Sequence, residues 1–202
     1  MLSGFLKCRN DWVPLGDSST SDISLFSRED HRRGTFIGKL STTLPSVDPA
    51  TAFKLLRNTN RRGEWDSMFL FGEQKIPVDA SSDVIRLVFK GERGDSDLVL
   101  LRSWREEEDR WVLAYHSVVE DVIAPTVDGM NRGSIGSSGW IVQRTEGGCE
   151  LTYIVSMGAA FVKQMGATVV DILAGRGKTI AANVENLSKL LGASHRWSVT
   201  EN

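Results

Sequence analysis

The chain has 202 residues, of which 41% are hydrophobic and 25% charged, with a formal net charge of −2. That length supports one domain with a sizeable core, and the composition is that of an ordinary globular protein. No basic field speaks for nucleic acid, no polybasic block for an anionic lipid surface, and no run of about 18 apolar residues for a membrane-spanning helix.

Trp12-Val-Pro-Leu15 reads as the start of a strand, and Asp17-Ser-Ser-Thr-Ser21 as a turn cluster. Asp22 to Ser27 alternates as a strand, Arg28 to Arg33 is a charged hairpin tip, and Thr35 to Leu44 is the return strand. Asp48 before Pro49 is a helix N-cap with proline in the first turn. Ala52, Phe53, Leu55 and Leu56 line one face of a helix that runs to about Asn58, and Asn60-Arg-Arg-Gly63 ends it. The next strands are Met68–Val78, Asp83–Lys90 and Asp97–Arg105, with Gly91-Glu-Arg-Gly94 as a short connector. Arg110–Val119 pairs back across the acidic tip Glu106-Glu-Glu-Asp109. Ser134–Arg144 and Glu150–Ser156 form another hairpin, turned at Glu146-Gly-Gly148.

The last third is helical by periodicity. Met165, Val169, Ile172 and Leu173 keep helical spacing, as do Ile180, Val184, Leu187 and Leu191, with Gly175-Arg-Gly177 as a kink between the sets. Residues 1–192 read as one domain and 193–202 as a polar tail. A run of strands, one early helix and one long terminal helix is an α+β order, a curved antiparallel sheet covered by the C-terminal helix.

Catalytic chemistry is sparse. His31 lies in a charged tip and His195 in the tail; His116 lies in a strand beside Ser117, and adjacent strand residues face opposite ways, so the two form no base–nucleophile pair. No nucleophile elbow, phosphate loop or dinucleotide fingerprint is present. The glycine-rich run Gly133–Gly139 reads as a bent strand, and Glu106–Asp109 as solvated acids rather than a metal site. Trp104 and Trp111 flank the hairpin tip at similar distance and read as a cross-strand pair. The basic pairs Arg32-Arg33 and Arg61-Arg62 read as solvated surface. Cys8 and Cys149 form no disulfide framework or metal-ligand spacing, and Met1–Cys8 has too short an apolar core for a secretory signal. A cytoplasmic protein, or a cytoplasmic module of a larger one, is expected.

Five short motifs then fall in order along the chain: Trp12-Val13, Glu64-Trp65-Asp66, Asp97-Leu-Val99, Arg132-Gly133 and Ser138-Gly139-Trp140. In this order and spacing the chain resembles the START domain (steroidogenic acute regulatory protein-related lipid transfer). The closest similarity is to the modules appended to acyl-coenzyme A thioesterases, and the second is to plant modules that follow a pleckstrin-homology domain. The resemblance implies a helix-grip fold, a sheet wrapped around the C-terminal helix with an internal hydrophobic cavity that holds one lipid (sterol, fatty acid or phospholipid). It implies no cofactor, no metal and generally no catalysis. On this resemblance the family's N-terminal helix would fall before Trp12 and is expected to be largely absent, and the Asp83–Asp97 connection is shorter than in most members.

On that reading the lining residues are Leu87, Phe89, Leu100, Arg102, Leu113, Tyr115, Met157, Phe161, Met165, Val169, Ile172, Leu173 and Ile180. Arg102 falls where some sterol-binding members carry a buried arginine. Their acidic partner should fall near Phe89, which is apolar, so Arg102 either anchors a ligand carboxylate or phosphate or pairs with an acid or carbonyls of the protein. Motion of the last helix and of the loop around Val122–Met130 would set exchange. The partners expected are a lipid ligand and transient membrane contact, with no nucleic acid, and the state a monomer. Two alternatives stand beside the carrier: a lipid-sensing module of a thioesterase, and a hydrolase or cyclase using His116 or Tyr115 in the same cavity.

Overall fold

The computed structural model describes residues 12–14, 23–30, 34–91, 94–119, 121–158 and 182–192. Strands β1 (Val13–Pro14), β2 (Ile23–Asp30) and β3 (Thr35–Pro45) come first. Helix α1 (Pro49–Arg57) follows, with a 3₁₀ turn over Thr59–Glu64. The strands β4 (Phe69–Asp79), β5 (Ser82–Phe89), β6 (Ser96–Glu106) and β7 (Arg110–Ser117) form a meander. After them come β8 (Asn131–Arg132), β9 (Ser138–Thr145) and β10 (Gly148–Gly158), and residues 182–192 form α2.

One 10-stranded sheet holds these strands in the order β1-β2-β3-β10-β9-β7-β6-β5-β4, with β8 attached to β6. It is curved and unclosed, and every pairing is antiparallel except that of β8 with β6. The early strands meet the last one where β3 pairs with β10 from Gly148↔Pro45 to Gly158↔Thr35. Both sheet edges are blunt. β1 has two residues, and β4 carries Pro77 and register shifts between Phe69/Phe71, Gln74/Ile76 and Pro77/Asp79, which spoil a ladder for another strand.

Helix α1 forms as its capping residues dictate. The Asp48 carboxylate accepts the Thr51 N–H at 2.8 Å, Pro49 opens the first turn, and Ala52, Phe53, Leu55 and Leu56 are buried on one side. Asn58 leaves the helix in an extended conformation, and its side chain accepts the Asn60 N–H at 3.1 Å, so the expected stop continues as a 3₁₀ turn.

Alternation along the strands separates two faces. The inner face, α1, Trp65 and α2 share one large apolar cluster, to which α2 contributes Val184, Leu187 and Leu191. The outer face carries two smaller clusters: Ile37, Ile141 and Ile154 beneath Trp12, and Val84, Val99 and Ala124 beneath Val118 and Ile123.

Several local expectations need correction. Arg28–Asp30 belong to β2 rather than to a hairpin tip, because they pair with Thr35–Ile37. Ser134–Ser137 precede β9 instead of belonging to it; Gly136 N–H donates to Ser156 O at 2.8 Å, which holds the segment beside the end of β10. Trp104 and Trp111 are not partners: the register sets Trp104 against Leu113 and Trp111 against Glu106. The Met165–Leu173 set, Ile180, the Gly175–Gly177 kink and the tail after Gly192 lie outside the described residues. Among the described residues no helix is long and apolar enough to cross a membrane.

Candidate functional site

Leu87, Leu100, Leu113 and Tyr115 come from three adjacent strands, β5, β6 and β7, at positions of the same parity. All four are buried in the inner-face cluster, and Phe89 packs against it partly buried. Met157 is 1% exposed, and alternation along β10 from Leu151 and Tyr153 carries it to the same face. Phe161, Met165, Val169, Ile172, Leu173 and Ile180 lie outside the described residues.

Arg102 shares that face and has its acidic partner within the protein. Asp83 sits directly opposite it in the β5–β6 register. Arg102 Nε donates to Asp83 Oδ1 at 2.8 Å and Nη2 to Oδ2 at 2.7 Å; Nη1 donates to the Arg57 carbonyl at 2.8 Å and to Thr59 Oγ1 at 3.0 Å. The acidic position is thus six residues earlier than Phe89, at the opposite end of β5. Gln74 adds a bond to Asp83 Oδ2 at 3.0 Å. The pair forms part of the wall of a solvent-open polar recess of about 250 Å³, also lined by Asn58, Asn60, Gly72 and Glu73. A bidentate, multiply bonded pair of this kind leaves little of the guanidinium for a ligand.

A second guanidinium is held differently. Arg62 donates from Nε to Asp66 Oδ2 at 2.9 Å, and its Nη2 lies 2.9 Å from the same oxygen. Its planar head lies 5.2 Å from the Trp65 ring centre, 5.2 Å from Phe89 and 5.8 Å from Phe69. Only the Arg61 half of the basic pair matches the surface reading, with its side chain in an exposed pair with Glu64. Nothing in the local sequence separates the two arginines except spacing: Arg62 and Asp66 stand four residues apart and meet across the turn.

Aromatic side chains surround this point. Trp65 meets Trp140 edge to face at 6.1 Å, and Trp140 lies against Tyr153 at 4.5 Å. Burial, together with the nearby Tyr153 phenol, pushes the Tyr115 pKa up, so the phenol stays protonated. Trp65 is 3% exposed, and its Nε1 is the buried side-chain donor without a partner among the described residues. An indole N–H only donates, so the atom it lacks is an acceptor.

The nucleophile candidates are poorly placed. His116 is exposed on the outer face, opposite to Tyr115. Ser117 Oγ accepts the Ile135 N–H at 2.8 Å. Cys149 is fully buried, and burial pushes its thiol up to about 11, which keeps it from forming a thiolate. Among the described residues no three His, Cys, Asp or Glu side chains gather to hold a metal.

A sequence profile of the START domain matches residues 4–158, most of the chain, ending at the last residue of β10. The chain belongs to the START domain family. Solved structures agree in fold. Human StAR-related lipid transfer protein 5 superposes with a TM-score of 0.79 at 13% identity, covering 96% of this chain and 92% of its own. Human STARD10 gives 0.78 at 14% identity, covering 99% and 80%. The human StarD13 (DLC2) lipid transfer and protein localization domain gives 0.71 at 20% identity, covering 93% of each. No curated protein matches the sequence.

The START motifs now acquire physical roles. Asp97 and Arg132 are one ion pair: Arg132 Nε donates to Asp97 Oδ1 at 2.8 Å and Nη2 to Oδ2 at 3.0 Å, while Arg86 Nε reaches Oδ2 at 2.7 Å. Arg132 also donates to the Ala124 carbonyl at 2.9 Å, which ties the loop before β8 to the sheet. In Glu64-Trp65-Asp66, the indole packs on the inner face and the carboxylate binds both Arg62 and α2, through Asn183 Nδ2 at 3.0 Å. Gly139 of the Ser138–Trp140 motif has a φ of 152° and precedes the Trp140 that braces Trp65.

Proposed function

We propose that the protein is a non-enzymatic lipid carrier or sensor that holds one lipid between the inner face of the sheet and its helical cover. The apolar body of the ligand lies against Leu87, Leu100, Leu113 and Met157 on the described strands. On the C-terminal segment it meets Phe161, Met165, Val169, Ile172, Leu173 and Ile180. Phe89, Arg102 and Tyr115 complete the lining. Each CH₂ removed from water is worth ~0.8 kcal/mol, so a long acyl chain needs few polar contacts.

One observation carries the reading further: an orphaned Trp65 Nε1 donor stands beside the Arg62 guanidinium in an otherwise apolar, aromatic setting. This supports a ligand with an acceptor-bearing, anionic end, a fatty acid or a phospholipid in preference to a sterol. The protein works as a cytoplasmic monomer that meets membranes transiently. A carrier also fits the protonated Tyr115 phenol and the outward-facing His116 better than acid–base catalysis does.

The test compares a fluorescent long-chain fatty acid with the fatty alcohol of the same chain. The wild-type protein binds the acid at least about tenfold more tightly, the scale of one charge-assisted hydrogen bond, and Arg62→Met removes the preference. Equal affinity for acid and alcohol in the wild type overturns the anionic-end assignment. Failure to bind either one, with no lipid seen by native mass spectrometry after incubation with phospholipid vesicles, overturns the carrier.

A further inference from the structure

The contact between α2 and the Trp65-Asp66 motif is polar, beside an apolar cluster that holds the rest of the described helix. Val184, Leu187 and Leu191 hold α2 in the inner cluster by contacts that have no direction. Asn183, 7% exposed, is the buried polar side chain among the described residues of α2. Its Nδ2 donates to Asp66 Oδ1 at 3.0 Å, and its Oδ1 accepts both the backbone N–H and the hydroxyl of Ser67 at 3.2 Å. Asp66 Oδ1 also accepts the Met68 N–H at 3.3 Å, and Oδ2 is held by Arg62. The amide therefore uses both its ends on two consecutive residues more than a hundred positions away in sequence.

A buried amide in an apolar seam fixes register. Sliding α2 along the cluster costs the apolar contacts little, whereas the same slide separates the buried Asn183 amide from the buried Asp66 carboxylate and takes it off Ser67. Undocking of α2 is therefore all-or-none at this point. The carboxylate that receives Asn183 is itself fixed by the Arg62 stack on Trp65, Phe69 and Phe89.

We propose that Asn183, with Asp66 and Ser67, is a latch that sets how long the protein retains its ligand: the lipid leaves only when these hydrogen bonds open and residues 182–192 lift from the inner face. Asn183 is a positioning residue in this scheme, acting through α2 and not on the lipid. The consequence for retention rests on the carrier reading; the latch itself does not.

Two measurements on Asn183→Leu and Ser67→Ala test it. The first is amide hydrogen exchange without added lipid. In Asn183→Leu, exchange of the 184–192 amides accelerates about tenfold or more while β5, β6 and β7 keep their protection, and Ser67→Ala, which loses one of the bonds, falls between. The second is release of a preloaded fluorescent long-chain fatty acid to phosphatidylcholine vesicles, which accelerates in the same order. Unchanged exchange at 184–192 in both variants overturns the latch, as does faster exchange at 184–192 with unchanged release. If the wild type takes up no probe, the carrier reading has failed, and the amide exchange alone upholds or overturns the latch. If Asn183→Leu does not fold, Ser67→Ala carries both readings.

Discussion

Asp97 gathers two guanidiniums on one carboxylate that is 2% exposed. Burial pushes its pKa up, but the hydrogen bonds and charges of Arg132 and Arg86 pull it down further, and the net position is below the ordinary 3.8. The folded protein therefore binds this proton less readily than the unfolded chain does. The stabilisation is complete above the ordinary value and is lost as pH falls through it toward the lower folded value. Urea midpoints measured from pH 6 down to pH 2.5 should fall below about pH 4 in the wild type, and Asp97→Asn should flatten that limb. At pH 7 Asp97→Asn costs ~3 kcal/mol, because two arginines are left against a neutral amide. An unchanged acid limb in Asp97→Asn would remove Asp97 from this role. Single residues were unevenly legible. Asp97 and Arg132 stand out as motif members, yet their pairing depends on Asn131 lying beside Ser96, a two-residue contact that no periodicity announces. Arg62 reads like its neighbour Arg61; only the fold, by bringing Phe89 and Phe69 over it, makes it half-buried.

Elements were more readable than residues, because each rests on a signal a few residues long. The cap at Asp48, the apolar stripe of α1 and the Glu146-Gly147 turn all fall where their residues place them. What the sequence hides is close approach between elements. Gly148 opens β10, and a Cβ there would overlap the Leu44 carbonyl oxygen and stand 3.0 Å from Pro45 Cα. Ser46 N–H donates to the Gly147 carbonyl at 2.6 Å with Ser46 at a φ of 62°, so the β9–β10 turn is pressed onto the end of β3. These neighbours are backbone and cannot rotate away. Gly148→Ala is expected to cost ~2 kcal/mol or more in chemical denaturation, as overpacking against a fixed wall does, whereas Gly158→Ala, at the other end of β10 with open space around it, costs less. Equal costs for the two would show that loss of a glycine from β10, not overlap with the β3 backbone, sets the requirement.

At the scale of the molecule, a curved sheet has two faces that need not share a task. The outer clusters are small and closed by their own coverings, Trp12 over Ile37, Ile141 and Ile154, and Val118, Ile123 and Ala124 over Val84 and Val99. The inner cluster is shared among strands, α1 and α2, the place where a ligand would compete with side chains for space. Substitutions on opposite faces of neighbouring strands should therefore separate stability from binding. Ile154→Ala, fully buried on the outer side, is expected to lower stability by ~3 kcal/mol and leave the affinity for a fluorescent fatty acid unchanged. Leu113→Phe, 1% exposed on the inner side, adds bulk where the acyl chain would lie; it should cost less than ~2 kcal/mol in stability and weaken the same probe at least about tenfold. Urea denaturation and probe titration on both variants decide the matter. If the two substitutions move stability and affinity together, both faces serve only as packing and the inner face has lost its claim to the ligand. If they move apart, the parity that sets Leu87, Leu100, Leu113 and Tyr115 on one side of three adjacent strands also sets where the lipid lies.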